Sequence, residues 1–248
     1  SSAGGAFECS NLQGTANVIS NCIIANNTSH FGGGLRSDGS SLTISQCTFA
    51  NNSASASGGA LCVLDPTSSF RLLGCTFESN LALYNGGALN IEGSLGSNAA
   101  CEVSECSFHA NQAHYGGAIS SSRAQLFVNS CEFRANTATY SGAAIRTYMS
   151  ATQVHNSIFL ENSTPTSGGA IYNSGSGSPS FINCTFVRNT SGSGRAIYNS
   201  DGVTAAITNC ILWDGGDEIA NSLSTAAVTY SDVYGGYAGT GNINVDPK

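Results

Sequence analysis

An aromatic residue or isoleucine followed three residues later by asparagine recurs along the chain, as Ile24 to Asn27, Phe49 to Asn52, Phe77 to Asn80, Phe108 to Asn111, Phe133 to Asn136, Phe159 to Asn162 and Phe186 to Asn189. A glycine-rich step into leucine or isoleucine follows each of them. The steps read Gly33-Gly34-Leu35, Gly58-Gly59-Ala60-Leu61, Gly86-Gly87-Ala88-Leu89, Gly116-Gly117-Ala118-Ile119, Gly142-Ala143-Ala144-Ile145, Gly168-Gly169-Ala170-Ile171 and Gly194-Arg195-Ala196-Ile197, with Gly4-Gly5-Ala6-Phe7 ahead of them all. The period is 25 to 31 residues. Self-similarity at that spacing marks a solenoid, in which each unit buries its apolar face only by stacking on its neighbours.

Aligning the repeats exposes a column formed by Cys22, Cys47, Cys75, Cys106, Cys131, Ser157, Cys184, Cys210 and Ser231. Three residues before each member stands an apolar one, from Ile19 and Ile44 through Leu72, Val103, Val128, Val154, Phe181 and Ile207 to Val228. Side chains two apart share one face of a strand, so two inward residues three apart require a bend between two strands. Each repeat therefore reads as a strand ending at the aliphatic residue, a second strand carrying Cys and Phe inward, an asparagine turn, a surface loop, and a third strand entered through Gly-Gly-Ala. The expected fold is all-β: a right-handed parallel β-helix (β-solenoid) of about nine coils of roughly 26 residues, with three short strands per coil. Residues 1–222 form the repeat array, and 223–248 a terminal coil and C-terminal tail of the same domain.

The corner asparagine tolerates left-handed backbone, satisfies turn amides and can stack into a ladder, so its first role is structural. Glycine admits a corner that a Cβ would block. The cysteine column, a single file without a paired C-x-x-C, offers no tetrahedral metal geometry, so no metal and no cofactor is expected. Its members read as buried small hydrophobes, and Cys9, Cys62 and Cys101, which lie outside it, are the candidates if disulfides form.

Only 9% of the residues are charged, and the net charge is -7. Eight Lys plus Arg give no basic stripe, which argues against nucleic acid as a partner. No apolar run approaches the length of a membrane span. The chain begins at Ser1 without an initiator methionine or a signal sequence, and reads as a mature or excised segment of an extracellular or cell-surface protein. Asn26, Asn27, Asn51 and Asn183 are glycosylation candidates; Asn162 and Asn189 also lie in sequons but occupy the corner column.

The combination of Phe-x-x-Asn with Gly-Gly-Ala-Ile, preceded by Cys-Thr-Phe at Cys47-Thr48-Phe49, Cys75-Thr76-Phe77 and Cys184-Thr185-Phe186, resembles the polymorphic outer-membrane protein repeat over residues 4 to 222. The resemblance implies a secreted or surface-displayed right-handed β-helix, in that family usually an autotransporter passenger acting in adhesion. The segment from Ser231 to Pro247 is similar to the end of the array in bacterial extracellular β-helix repeat proteins. Gly142-Ala143 and Gly194-Arg195 depart from the Gly-Gly pair, and no translocating barrel follows.

Three function classes compete. Right-handed β-helices include polysaccharide lyases and hydrolases, whose chemistry needs carboxylates about 5 to 10 Å apart or acids beside a cationic base. The residue after each Phe points outward, which puts Glu78, His109 and Arg134 on consecutive rungs with Glu132 beside them; a cross-strand salt-bridge ladder accounts for the same cluster. Asp214, Asp217 and Glu218 form a second acidic group, read as a terminal loop. For binding, the position four after the corner asparagine carries Tyr84, Tyr115 and Tyr140 on consecutive coils, a stripe suited to sugar rings or a partner surface unless the rings fold down over their own loops. Tyr172 and Tyr198 form a separate outward pair. Ice binding fails because the outward column of Thr48, Thr76 and Thr185 is interrupted by Ile23, Ser107, Glu132 and Ile158. The reading is a non-enzymatic adhesive or structural surface element, with a carbohydrate-active enzyme or carbohydrate-binding module as the alternative. Its partners are a carbohydrate or a host or neighbour-cell surface, and, because both ends of the array look bare, further copies stacked head to tail into filaments.

Overall fold

The computed structural model describes residues 5–12, 17–66, 69–94 and 100–248; Gly4 of the first glycine step lies outside them. Strands are the only regular elements among the described residues, and every strand pairing is parallel. Three nine-stranded sheets run the length of the molecule. The aliphatic sheet runs from Val18–Ser20 to Thr225–Thr229, the phenylalanine sheet from Ile23–Ala25 to Asp232–Val233, and the glycine-entered sheet from Phe7–Ser10 to Ile219–Ser222. Nine rungs at about 4.8 Å each make the solenoid roughly 40 Å long.

Register explains the core. Phe77 pairs with Phe49 and Phe108, and Phe108 with Phe133, so identical side chains stack directly above one another. Neighbouring rings from Phe49 to Phe186 lie 4.7 to 5.0 Å apart and within 3 to 7° of parallel. Leu61, Leu89, Ile119, Ile145 and Ile171 line the glycine-entered side of the same core, and Ile44, Leu72, Val103, Val128 and Val154 the aliphatic side, all nearly without exposure. One repeat thus supplies one apolar layer, and only the neighbouring coils cover it.

The asparagine corner is a continuous buried ladder. In each rung the backbone N–H and the side-chain Nδ2 of one asparagine both donate to Oδ1 of the next, as from Asn80 to Asn111 at 3.0 Å each. The same Nδ2 also donates to the carbonyl of the Phe three residues before the preceding rung's asparagine, as Asn111 does to Phe77 at 3.0 Å. Every buried polar atom of the side chain is used. The left-handed residue, however, is the one before the asparagine: Asn26, Asn51, Ser79, Ala110, Ala135, Glu161 and Arg188 have φ of 52 to 59°. The asparagine side chain is selected for the ladder, not for its backbone.

The cysteine column is also a ladder, which corrects its reading as inert small hydrophobes. The N–H of Cys106 donates to Sγ of Cys131 at 3.4 Å, and that of Cys131 to Oγ of Ser157 at 3.1 Å. Each thiol in turn donates to the carbonyl two residues earlier, as Cys106 does to Ser104 at 3.2 Å. A hydroxyl can do both tasks, which is why Ser157 and Ser231 stand in the file. All ten cysteines are free, Cys9, Cys62 and Cys101 included.

The segment expected to be a surface loop is a fourth side of the coil. Thr28–Phe31, Ser53–Ser57, Leu81–Ala82, Gln112–Tyr115 and Thr137–Ser141 form a five-stranded parallel sheet, which isolated bridges extend through Ser163 to Thr190. Its inward column is small, with Ala54, Ala82, Ala113 and Ala138 all buried, because the returning glycine pair lies against it. The first glycine, as at Gly58, takes φ of 70°; a Cβ on the second, Gly59, would fall 2.6 Å from the backbone of Leu81 in the next coil. The Gly-Gly signature therefore records one left-handed turn followed by one close approach of backbone to backbone.

At the C-terminal end the edge of the phenylalanine sheet is covered, which corrects the expectation of a wholly bare end. Ile243 bridges to Asp232, its N–H donates to the Ser231 carbonyl at 2.9 Å, and its own carbonyl accepts from Val233 at 3.0 Å. Asn242 Oδ1 accepts from Ser231 N–H at 3.1 Å, taking the place of the next residue in the cysteine column.

Candidate interaction surface

On the outer face of the fourth sheet, register places Thr28, Ser53, Leu81, Gln112 and Thr137 in one column, and two residues further along the chain stand His30, Ser55, Leu83, His114 and Thr139. Leu81, Leu83 and Tyr84 stand 45%, 58% and 53% exposed, the most open apolar group on this side. They floor a shallow depression of about 530 Å³, rimmed by Ser55, Gln112, His114 and Thr139. The rims are held: His30 Nδ1 shares a hydrogen bond with Ser55 Oγ at 2.9 Å, and His114 Nδ1 with Thr139 Oγ1 at 2.7 Å. Each imidazole also stands edge-on to the aromatic next to it, His30 to Phe31 at 4.5 Å and His114 to Tyr115 at 4.4 Å.

The tyrosine stripe divides. Tyr84 and Tyr140 project, Tyr140 being 48% exposed, while Tyr115 is half-buried between Tyr140, whose ring lies 5.3 Å away edge-on, and Arg146, whose guanidinium lies 5.3 Å above its own ring. Arg146 belongs to the glycine-entered sheet, so it ties the stripe to Tyr148 and, through register, to the Tyr172 and Tyr198 pair. In the repeat alignment these tyrosines fall into two separate groups. The only signal joining them was Arg146, which stands outward where the neighbouring coils carry serine and tyrosine.

The ionisable column sits where register places it. Glu78 pairs with His109 and His109 with Arg134 on consecutive rungs, and Glu132 lies on the Arg134 strand opposite Ser107; all four are exposed on an open wall. The ion pair made by Arg134 is with a residue outside the set, Glu161, at 3.7 Å, and Glu161 also holds Arg188 at 3.0 Å. Glu161 escaped notice because it occupies the left-handed corner position and not the strand column.

Among the sequons, Asn26 and Asn51 are exposed corner residues, whereas Asn27 spends its Nδ2 on Asn52 and the Ala25 carbonyl. Asn183 is exposed but belongs to a second, surface ladder, donating to Asn156 at 3.1 Å and accepting from Asn209 at 2.7 Å. Asn162 and Asn189 are wholly buried in the corner ladder.

The acidic group near the C-terminus is a constructed site, not a loose loop. Asp214 Oδ1 accepts from the Asn189 N–H at 2.7 Å and from its Nδ2 at 3.0 Å, as another asparagine would. Glu218 Oε1 accepts the N–H groups of Asp214, Gly215 and Gly216 at 3.0, 2.8 and 3.1 Å. Asp217 accepts from Ser193 and Gly194, and Arg195 donates to the carbonyls of Asp214 and Gly215. The second oxygens of Asp214 and Glu218 are buried without a donor. Burial, reinforced by the neighbouring Glu218, pushes the Asp214 carboxyl up to about 8. Burial likewise raises Glu218, against the pull of its three amides. The sequence hid this site because Asp214 follows Leu212 by two residues instead of three.

Residues 46–64 and 156–174 match the family model described as the Chlamydia polymorphic membrane protein (Chlamydia_PMP) repeat. Both matches cover the same part of a coil, from the cysteine-column corner through Phe and Asn to the end of a glycine-entered strand. Comparison with curated proteins returns no match, and neither does comparison with solved structures.

Proposed function

We propose that this chain works at a cell surface as a contact element, a non-enzymatic β-solenoid that adheres through its fourth sheet or lends structural support. The observation that carries the reading is the exposed group of Leu81, Leu83 and Tyr84 in a depression with hydrogen-bonded rims, on a rigid wall that every neighbouring coil braces. A contiguous apolar patch rimmed by polar groups is the usual mark of an interaction site. The match to a membrane-protein repeat supports the location. Against the enzymatic alternative, Glu78, His109, Arg134 and Glu132 stand on an open exposed wall, and the cation of the set is engaged by Glu161.

The test is attachment of the purified chain to cells and to immobilised glycans. Replacing Leu83 and Tyr84 together by serine should abolish attachment and leave the thermal midpoint unchanged. Undiminished attachment by that variant refutes the assignment of the surface, and turnover of a polysaccharide that Glu78→Gln abolishes refutes the non-enzymatic reading. Head-to-tail filament growth belongs to the same proposal, with the condition that the strand edge at the C-terminal end is already paired to Ile243, which an incoming coil has to displace.

A further inference from the structure

The arginines of this chain are provided for, with one exception. Arg36 pairs with Asp38 at 2.9 Å and Glu8 at 3.6 Å, Arg71 with Glu102 at 3.3 Å, Arg123 with Glu92 at 3.0 Å, and Arg134 and Arg188 share Glu161. Arg195 donates to two backbone carbonyls at 3.0 and 2.9 Å. Arg146 has no carboxylate and no carbonyl among the described residues. Its guanidinium lies 5.3 Å from the ring centroids of both Tyr115 and Tyr148, its single hydrogen bond among the described residues is Nη1 to Ser122 Oγ at 3.4 Å, and its buried Nε, like that of Arg123, has no acceptor. Burial lowers its pKa, and Tyr172, Tyr115 and Tyr148 offset that only in part. A chain of net charge -7 has acids to spare, and none is placed here.

Stacking on ring faces occupies the face of a guanidinium and leaves its edge of N–H donors open, and that edge fits a carboxylate with two parallel hydrogen bonds. The surroundings extend in one direction. In register, Ser120, Arg146, Tyr172 and Tyr198 form one outward column on four consecutive coils. Ser120 is 1% exposed and its hydroxyl is unpartnered. Beyond Arg146, the half-buried rings of Tyr172 and Tyr198 lie 5.4 Å apart and 4° from parallel, with the Tyr172 hydroxyl bonded to Ser200 at 3.1 Å.

We infer that Arg146, with Tyr148, Tyr172 and Tyr198, is a binding seat for a carboxylate-bearing sugar ring of the uronate type: the carboxylate on the guanidinium edge, the rest of the ring along the edges of the stacked tyrosines. A peptide C-terminus would satisfy the arginine alone, whereas a pyranose also lies along the ring edges and hydroxyls that the stacked Tyr172 and Tyr198 present at the next rungs. This seat lies on the glycine-entered sheet and stands independently of the contact role assigned to Leu83 and Tyr84.

The experiment is a titration of the full 248-residue chain with methyl glucuronide and with methyl glucoside, followed by saturation-transfer NMR at low ionic strength. The uronate should bind roughly ten- to a hundredfold tighter than the glucoside, the range of one charge-assisted hydrogen-bonded pair, and added salt should narrow the gap. Arg146→Gln should remove the preference, Arg146→Lys should keep part of it, and Tyr198→Leu should weaken both sugars alike. Equal affinity for the two sugars, no uronate binding by the folded wild-type chain at millimolar concentration, or a preference that survives in Arg146→Gln would each overturn the inference. If Arg146→Gln fails to fold, the comparison of the two sugars on the wild-type chain still decides it.

Discussion

Replacing Asp214 by asparagine should stabilise the molecule at pH 8 and remove the pH dependence that Asp214 contributes between the ordinary carboxylate pKa of 3.8 and the raised value of about 8. In each earlier rung, Oδ1 receives two hydrogen bonds while Nδ2 gives two. Asp214 reproduces the receiving half, so its Oδ2 stands where a donor belongs, buried and without one, with the Glu218 carboxyl as its side-chain neighbour. A proton on Asp214 turns the acid into a mimic of asparagine. The groups around it are Glu218 and the Asn189 amide, with Asp217 and Arg195 held on the same loop by Gly194 and by the carbonyls of Asp214 and Gly215.

The sign follows from linkage. Folded Asp214 has the higher pKa, so its contribution is fully present below about pH 4 and is lost as pH rises through about 8. Within that window the folded state holds one more proton than the unfolded chain, and stability falls by about 1.4 kcal/mol per pH unit from this pair. Urea midpoints at pH 5, 6.5 and 8 for wild type and Asp214→Asn measure it, because the difference between the variants isolates Asp214 and its coupled neighbour Glu218 from the other carboxylates. Repeat arrays can open from one end, so amide hydrogen exchange at Asn189 and Gly215 reads the same rung locally. Parallel pH profiles for the two proteins, or a variant less stable than wild type at pH 8, would refute the argument.

Other substitutions separate the roles of neighbouring columns. Phe108→Ala should cost about 3 to 5 kcal/mol through a cavity between two stacked rings, whereas His109→Ala, exposed beside it, should leave the denaturant midpoint within about 0.5 kcal/mol of wild type. Cys106→Ser should be nearly silent and Cys106→Ala should lose about 1 to 3 kcal/mol, since alanine strands the buried Cys75 N–H that Sγ accepts at 3.4 Å; equal losses would make the column merely apolar. Gly59→Ala should prevent folding or shift the fourth sheet outward, readable as loss of the cooperative melting transition, because its Cβ would meet the Gly87 carbonyl oxygen at 2.0 Å. Deleting residues 240–248 should drive self-association in sedimentation experiments by unpairing the edge that Ile243 covers.

The coil was legible because register converts a period in the sequence into a column in space: Phe at 49, 77, 108 and 133 can only face one another if the strands pair in parallel. The fourth sheet was not, because its inward positions are Ala54, Ala82, Ala113 and Ala138 and its outward ones mix Ser, Leu, Gln and Thr, an alternation without the apolar contrast that marks a strand. The hydrogen-bonding of the cysteines was visible only as the tolerance of Ser157 and Ser231, which points to a polar task as much as to small volume. The surface sites were least legible. Arg134 with Glu161 and Arg146 with Tyr115 join positions that belong to different columns, and a repeat alignment shows neighbours along columns while hiding neighbours across corners.

Both ladders point the same way along the axis, and that polarity determines what the last coil has to contain. Each rung's N–H donates toward the C-terminal neighbour, so at that end a donor remains and needs an acceptor that is itself satisfied by something other than a further coil. Asn189 finds it in Asp214, whose own N–H turns to Glu218 instead of to another asparagine. Cys210 finds Ser231, and Ser231 finds Asn242, whose Nδ2 then closes on the carbonyls of Val228 and Tyr237 at 3.0 and 3.1 Å. The asparagine and cysteine ladders thus end through different chemistry, a buried acid in one and a returning tail in the other. The departure of Asp214 and Glu218 from the repeat is accordingly a requirement of the repeat's own hydrogen-bond direction: a solenoid of ordinary asparagine rungs alone would leave its last buried N–H without a partner.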